Sequence, residues 1–165
     1  MVTISEATPN DFKTIQEIAH KAWPFAYGEI LSKNQIDYML ESMYALKVLN
    51  SNFTNKKHRF VLLKLYENPI GFASYEHHYL NTRCTRLHKL YILPECIGKG
   101  YGQLLLNKII ELSKENKSDT ISLNVNRFNK ACVFYKKMGF EIIAEENLSI
   151  GNNYFMEDYK MEKKL

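Results

Sequence analysis

Leu90-Tyr91-Ile92-Leu93-Pro94-Glu95-Cys96-Ile97-Gly98-Lys99-Gly100-Tyr101-Gly102-Gln103-Leu104-Leu105 is the stretch on which the fold of this chain turns. A β-prone apolar run stops at a proline, passes through a glycine-spaced turn and enters a leucine-rich helix. Gly98, Gly100 and Gly102 let the backbone approach a ligand with no Cβ in the way. The amides that follow belong to the first helical turn, where they have no partner within the helix and sit at the positive end of the macrodipole. Such an arrangement holds phosphate, so a strand delivering this loop points to a phosphorylated cofactor.

Working outward, Val2 to Glu6 alternates as a strand does, and Pro9-Asn10-Asp11 opens a helix with Phe12, Ile15, Ala19 and Trp23 on one face. Trp23-Pro24-Phe25-Ala26-Tyr27-Gly28 is expected to break it. Ser32 with Gln35 reads as a capping box ahead of Ile36, Met39, Leu40 and Met43. A polar region, Asn50 to Lys57, leads to a strand at His58–Tyr66. Glu67-Asn68-Pro69 then turns into Ile70–Tyr79, which predicts a hairpin. Arg86–Leu93 feeds the glycine loop, and a helix follows from about Tyr101 to Asn116. Ile121–Val125 reads as a strand and Lys130–Met138 as a helix stopped at Gly139. Phe140–Ala144 and Tyr154–Met161, joined through Gly151-Asn152-Asn153, close the chain as strands. The order β-α-α-β-β-β-α-β-α-β-β describes one α/β domain over residues 1–165, its mixed, mostly antiparallel central sheet flanked by helices.

Bulk properties agree with one globular domain. The 165 residues suffice for a single full core, with 45% hydrophobic residues and only 7 Gly and 4 Pro. A net charge of +4 without an arginine-rich tract gives no support for nucleic-acid binding. Cys84, Cys96 and Cys132 are odd in number and follow no metal-ligand spacing, so a reduced, cytoplasmic protein with no bound metal is expected. The N-terminal MVTISEATPNDF shows no basic-then-apolar signal, and no run reaches membrane-spanning length, so no membrane partner is expected.

LHKLYILPECIGKGYGQLLL, followed by LNVNRFNKACVFYKKMGF, resembles the GNAT superfamily of acetyl-CoA-dependent N-acetyltransferases over nearly the whole chain. The first segment is similar to the family's pyrophosphate loop, (Arg/Gln)-x-x-Gly-x-(Gly/Ala), with Gly100 and Gly102 in the glycine positions. Ile97 stands where the family has Arg or Gln. The second is similar to the family's later motif of a strand, an Asn, a short helix bearing a Tyr, and a Gly-Phe exit. The ending Asn152-Asn153-Tyr154-Phe155-Met156-Glu157-Asp158-Tyr159 resembles, within the superfamily, bacterial polyamine acetyltransferases.

The resemblance implies direct attack of an amine on acetyl-CoA in a ternary complex, with the cofactor held by Leu90, Tyr91, Ile92, Ile97, Gly98, Lys99, Gly100, Tyr101, Gly102, Gln103 and Asn129. Tyr135 falls at the tyrosine beside the coenzyme sulfur and is the implied acid for the leaving thiolate. Read by itself it is a packed aromatic, and Asn129 by itself is a helix cap. Leu90, Tyr91 and Ile92 are implied to act through main-chain groups; Lys99, Arg127, Lys130 and Lys136 are candidates to face phosphate, each read by itself as a solvated surface charge. The family's upstream Glu aligns with about Arg86, which accepts no proton. His88 and Glu76 are the candidate bases, because an amine of pKa about 10.4 must lose a proton before attack. Tyr27 and Glu29, with Trp23, Phe25 and Asp37, form the expected acceptor wall, and Asp158 and Glu157 are candidate partners for a cation. Cys132 reads as core. A small-molecule amine, a polyamine ahead of others, is the expected acceptor. A protein N-terminus or lysine is the alternative within the enzyme class, and a non-catalytic acetyl-CoA sensor the alternative outside it. A homodimer stays open.

Overall fold

Apolar strand faces need cover on both sides, and this chain provides it with one seven-stranded sheet in the order β1-β2-β3-β4-β5-β7-β6. The computed structural model describes all residues, 1–165. Strand β1 spans Val2–Glu6, β2 Arg59–Leu65, β3 Asn68–Glu76, β4 Cys84–Ile92, β5 Thr120–Asn126, β6 Glu141–Gly151 and β7 Tyr154–Lys164. Helices α1 (Phe12–Tyr27), α2 (Lys33–Tyr44) and α3 (Leu46–Thr54) cover one face, while α4 (Tyr101–Glu115) and α5 (Ala131–Lys137) cover the other. No helix is long and apolar enough to cross a membrane.

Two cores result. Phe60, Leu62 and Phe72 meet Phe12, Ile15 and Trp23 on one face. Val61, Leu63 and Ala73 meet Leu105, Leu106 and Ile109 on the other. Central strands buried on both faces explain the near-continuous apolar run of β2.

Three expectations need correction. Helix α1 does not break at Trp23 but runs through Pro24 to Tyr27, closing with Gly28 N–H donating to the Pro24 carbonyl. A proline inside a helix costs about 3 kcal/mol. Burying Trp23 and Tyr27, each worth about 1.5–3 kcal/mol, offsets it. The polar region Asn50–Lys57 begins inside α3, which forms because Leu49 is buried and Phe53 packs edge-on against Phe12 at 5.7 Å. Propensity was weak there and tertiary packing prevailed. Strand β6 continues past Ala144 to Gly151, paired with β7 through an Asn152-Asn153 turn in which both residues have positive φ. As an edge strand it shows few apolar residues to a reader of the sequence. At the other cap, Ser32 Oγ accepts from Gln35 N–H as expected, but the Gln35 side chain donates to the Phe155 carbonyl instead of turning back.

Strand β4 matters most for the site. It pairs with β3 as far as Ile92, with His88 bulged between the pairs Tyr75–Leu87 and Ser74–Lys89. Its parallel pairing with β5 covers only Cys84 to Leu87. From His88 onward the two strands diverge, leaving a gap in the middle of the sheet.

Candidate active site

The glycine loop sits at one mouth of this gap. Gly98 (φ 82°) and Gly100 (φ 83°) occupy the left-handed region that favours glycine, and a Cβ on either would meet nothing within 4 Å. That side is open to a ligand. Gly102, by contrast, has ordinary helical φ, so its role differs from the one read in the sequence: it leaves room opposite the Phe134 ring, 3.8 Å from a Cβ built there. Leu104 N–H is the first donor to close on Gly100. The amides of Tyr101, Gly102 and Gln103 therefore have no helical acceptor. Ile97 and Lys99 flank them, both exposed. Arg127 is a correction: its guanidinium donates to Glu145 and Asn147 and pairs with Glu157 at 3.4 Å, so it braces the β6–β7 hairpin and is not free for phosphate.

Beside the gap, the C-terminal end of α1 reaches β4. The Tyr27 and Tyr91 hydroxyls lie 3.0 Å apart, and Asn129 lies near enough to oppose the rise that burial gives the Tyr27 pKa. Asn129 caps the next helix as well, its Oδ1 accepting from Ala131 N–H. Tyr135 is buried beside them. Burial above all raises its pKa, the nearby Tyr27 and Cys132 add to the effect, and no hydrogen bond opposes it. A depressed phenol pKa is thus not the arrangement here; the hydroxyl stays protonated throughout the neutral range. Leu90 and Ile92 point into one core and Tyr91 into the other. This stretch pairs with β3 on one side, and its main-chain groups on the β5 side are left unpaired toward the gap.

On the face carrying α1 to α3, side chains from five strands, with His58 just ahead of β2, form a polar row. Glu76 Oε1 lies 2.9 Å from His88 Nε2 and 3.6 Å from His58 Nε2, and the two imidazoles stack at 3.9 Å. Burial, followed by nearby cations, pushes His88 down to about 2 and His58 down to about 4, so both rings are neutral. Burial also raises Glu76. Arg86 donates to Ser122 and Asn124 (2.6 Å) and lies over the Tyr79 ring. Asn124 in turn donates to Glu146 (2.9 Å) and Asp158 (3.2 Å). Asp158 is 6% exposed, its Oδ1 has no partner, and burial raises its pKa.

The remaining candidates divide. Trp23 is core, and Tyr27 is buried with its ring against Trp23, so neither offers a stacking face. Phe25 and Glu29 are exposed at the end of α1. Asp37 pairs with Lys33 at 2.7 Å. Cys132 donates to the Asn126 carbonyl and has a raised pKa, as a packed thiol does. His58, Asn124, Glu146 and Tyr79 were missed. The alternation of Ser122, Asn124 and Asn126 against Ile121, Leu123 and Val125 was a usable signal for a polar face on β5.

Comparison with known proteins now bears on this geometry. The model of the acetyltransferase (GNAT) family matches residues 12–140. The chain belongs to the GNAT family. It is an acetyl-CoA-dependent acyltransferase, and its glycine loop, free helix-start amides and opened β4–β5 edge fit that co-substrate. This GNAT chain is 31% identical over 159 residues to the ribosomal protein bS18-alanine N-acetyltransferase of Haemophilus influenzae, covering 94% of this chain and 88% of that protein. It is 24% identical over 161 residues to the spermidine N(1)-acetyltransferase of Thermoplasma acidophilum, covering 94% and 96%. Among solved structures it resembles the PaiA N-acetyltransferase of Thermoplasma acidophilum in complex with coenzyme A, with a TM-score of 0.84, 25% identity, and coverage of 100% of this chain and 99% of that one.

Proposed function

We propose that this GNAT protein acetylates a small cationic primary amine, a polyamine in the first place. The observation that carries this reading is Asp158: a buried carboxylate with one unpartnered oxygen, near the β6 end of the polar row, whose charge adds to burial in raising the Tyr27 pKa. An unpaired buried acid is costly unless a cation compensates it. A protonated nitrogen of the acceptor does so, and the spermidine-acetylating relative supports the choice.

Acetyl-CoA supplies the thioester whose acyl carbon the amine attacks. Amides from Tyr101 to Gln103 hold its phosphates, and main-chain groups of Leu90 to Ile92 align the arm and polarise the carbonyl as an oxyanion hole does. An aliphatic amine of pKa about 10.4 needs an acceptor for its proton. Glu76, raised by burial and bonded to the neutral His88, is that acceptor. Tyr135, protonated throughout the neutral range, gives its proton to the departing thiolate.

A second reading follows from the more similar relative: acetylation of a protein N-terminus. An α-amine, with pKa about 7.7–8.0, places less demand on a base. Release of free CoA thiol across spermidine, spermine, simple diamines, amino acids and an alanine-started peptide separates the two. Saturating turnover with polyamines and little with the peptide is expected. The reverse order would move the assignment to the protein N-terminus, and binding of acetyl-CoA with no release on any amine would leave a sensor.

A further inference from the structure

His58 poses a problem that acetyl transfer does not solve. The residue is 8% exposed, yet neither ring nitrogen has a hydrogen bond. Nδ1 is buried without a partner, and Nε2 stops 3.6 Å from Glu76 Oε1, beyond hydrogen-bond reach. Buried polar groups are normally satisfied, and an exception calls for an explanation such as an ion. His58 precedes β2, Glu76 ends β3 and His88 is the bulge of β4, so three separate backbone segments bring these side chains together.

From this convergence we infer a binding site for a divalent transition-metal ion, zinc in the first place, with His58 Nε2, Glu76 Oε1 and His88 Nε2 as ligands. The three donor atoms lie within 4.8 Å of one another. Zinc bonds of about 2.0–2.2 Å in a tetrahedron separate ligand atoms by roughly 3.3–3.5 Å. The observed 2.9 and 3.6 Å bracket that spacing. Two imidazoles and one carboxylate suit zinc, cobalt and nickel better than magnesium or calcium. The site opens on a pocket of ≈ 470 Å³ rimmed by Asn55, Lys56, Lys57 and Tyr79, which leaves the fourth position to water. Coordination requires the stacked rings, now 16° apart, to swing about χ2 so that both lone pairs point at one ion. His58 has no hydrogen bond to break in doing so. Lys56, Lys57, Lys89 and Arg86 surround the cluster and weaken the site. Sequence offered no hint of it, because the ligands are far apart in the chain and none is a cysteine.

Occupation has a consequence that rests on the proposed proton route: an ion on Glu76 and His88 removes the amine's proton acceptor, so zinc inhibits acetyl transfer reversibly. The test titrates chelator-treated full-length protein with Co²⁺, following its visible absorption, and then with Zn²⁺ by calorimetry. One ion per chain, displacement of Co²⁺ by Zn²⁺, and weakening by about tenfold or more in His58→Ala are expected. Should the alanine variant not melt cooperatively, His58→Asn takes its place. No cobalt spectrum with no zinc heat, equal affinity in the His58 variants, or a thiolate-to-cobalt charge-transfer band would each overturn the site. Turnover in the presence of Zn²⁺, with and without chelator, is the second reading. Binding with inhibition upholds both proposals. Binding without inhibition upholds the site and removes Glu76 and His88 from the proton route.

Discussion

At the glycine loop the groups offered by the proposed function are free main-chain amides; across the sheet face, from His58 to Glu146, they are side chains drawn from separate backbone segments. On that reading the first region is expected to tolerate side-chain change, because its groups are φ angles and free N–H donors, and Ile97 is the position that tests it. The second is built from side chains that hold one another, with Arg86 donating to Ser122 and Asn124, and Asn124 to Glu146 and Asp158. A constant cofactor and a variable acceptor call for this division of labour. Several substitutions test whether the division holds.

The largest effect is expected where the two regions meet. Tyr135→Phe removes the proposed proton donor and is expected to lower kcat by about 10²–10³-fold, leaving the KM for acetyl-CoA nearly unchanged. Steady-state thiol release checks it; near-normal kcat would return Tyr135 to the packed core. Next comes the main-chain region. Gly100→Ala forces a Cβ into the left-handed region at a cost of roughly 1–2 kcal/mol. Since the Cβ itself meets nothing, the effect belongs to φ, and the KM for acetyl-CoA is expected to rise about five- to tenfold with little change for the amine. The smallest effect is expected at Ile97, which is 50% exposed. Ile97→Arg adds one screened charge beside the loop, and the KM for acetyl-CoA is expected to fall about two- to threefold, a gain that disappears at high salt. A larger, salt-independent gain would mean that side chains carry more of the phosphate binding than the comparison allows.

The same division decides what the sequence discloses. Val2–Glu6, the helix from Tyr101 and the Gly139 stop were all legible, because apolar periodicity and glycine punctuation are local signals. The left-handed turn at Gly98 and Gly100 was legible for the same reason. Pro24 misled because its cost is local while the burial of Trp23 and Tyr27 is tertiary. Helix α3 was hidden by its Asn and Ser residues, and only the contact of Phe53 with Phe12 shows why it forms. On the acceptor side, His88 and Glu76 were named separately, yet their partner His58 was not: three strands must be in register before the three side chains meet. Arg127 read as a phosphate ligand because its partners, Glu145 and Asn147, lie on a strand that appeared to end earlier.

Asp158 offers the most direct test of the acceptor side, through stability and activity together. Burial raises its folded-state pKa above the ordinary 3.8, so the folded protein holds the proton more tightly than the unfolded chain. Stability therefore falls as pH rises through the interval from 3.8 to the raised value. Asp158→Asn escapes that penalty and is expected to melt higher at neutral pH, with the difference closing as pH approaches 3.8. The decisive measurement is kcat/KM of Asp158→Asn for spermidine and for acetyl-CoA, determined in parallel at neutral pH. A loss of about tenfold or more for spermidine, with acetyl-CoA within about twofold, is the predicted result for a buried carboxylate that pairs with the acceptor's cation. An unchanged kcat/KM for spermidine in a variant that melts higher would contradict it, leaving Asp158 a structural acid and the acceptor something other than a polyamine.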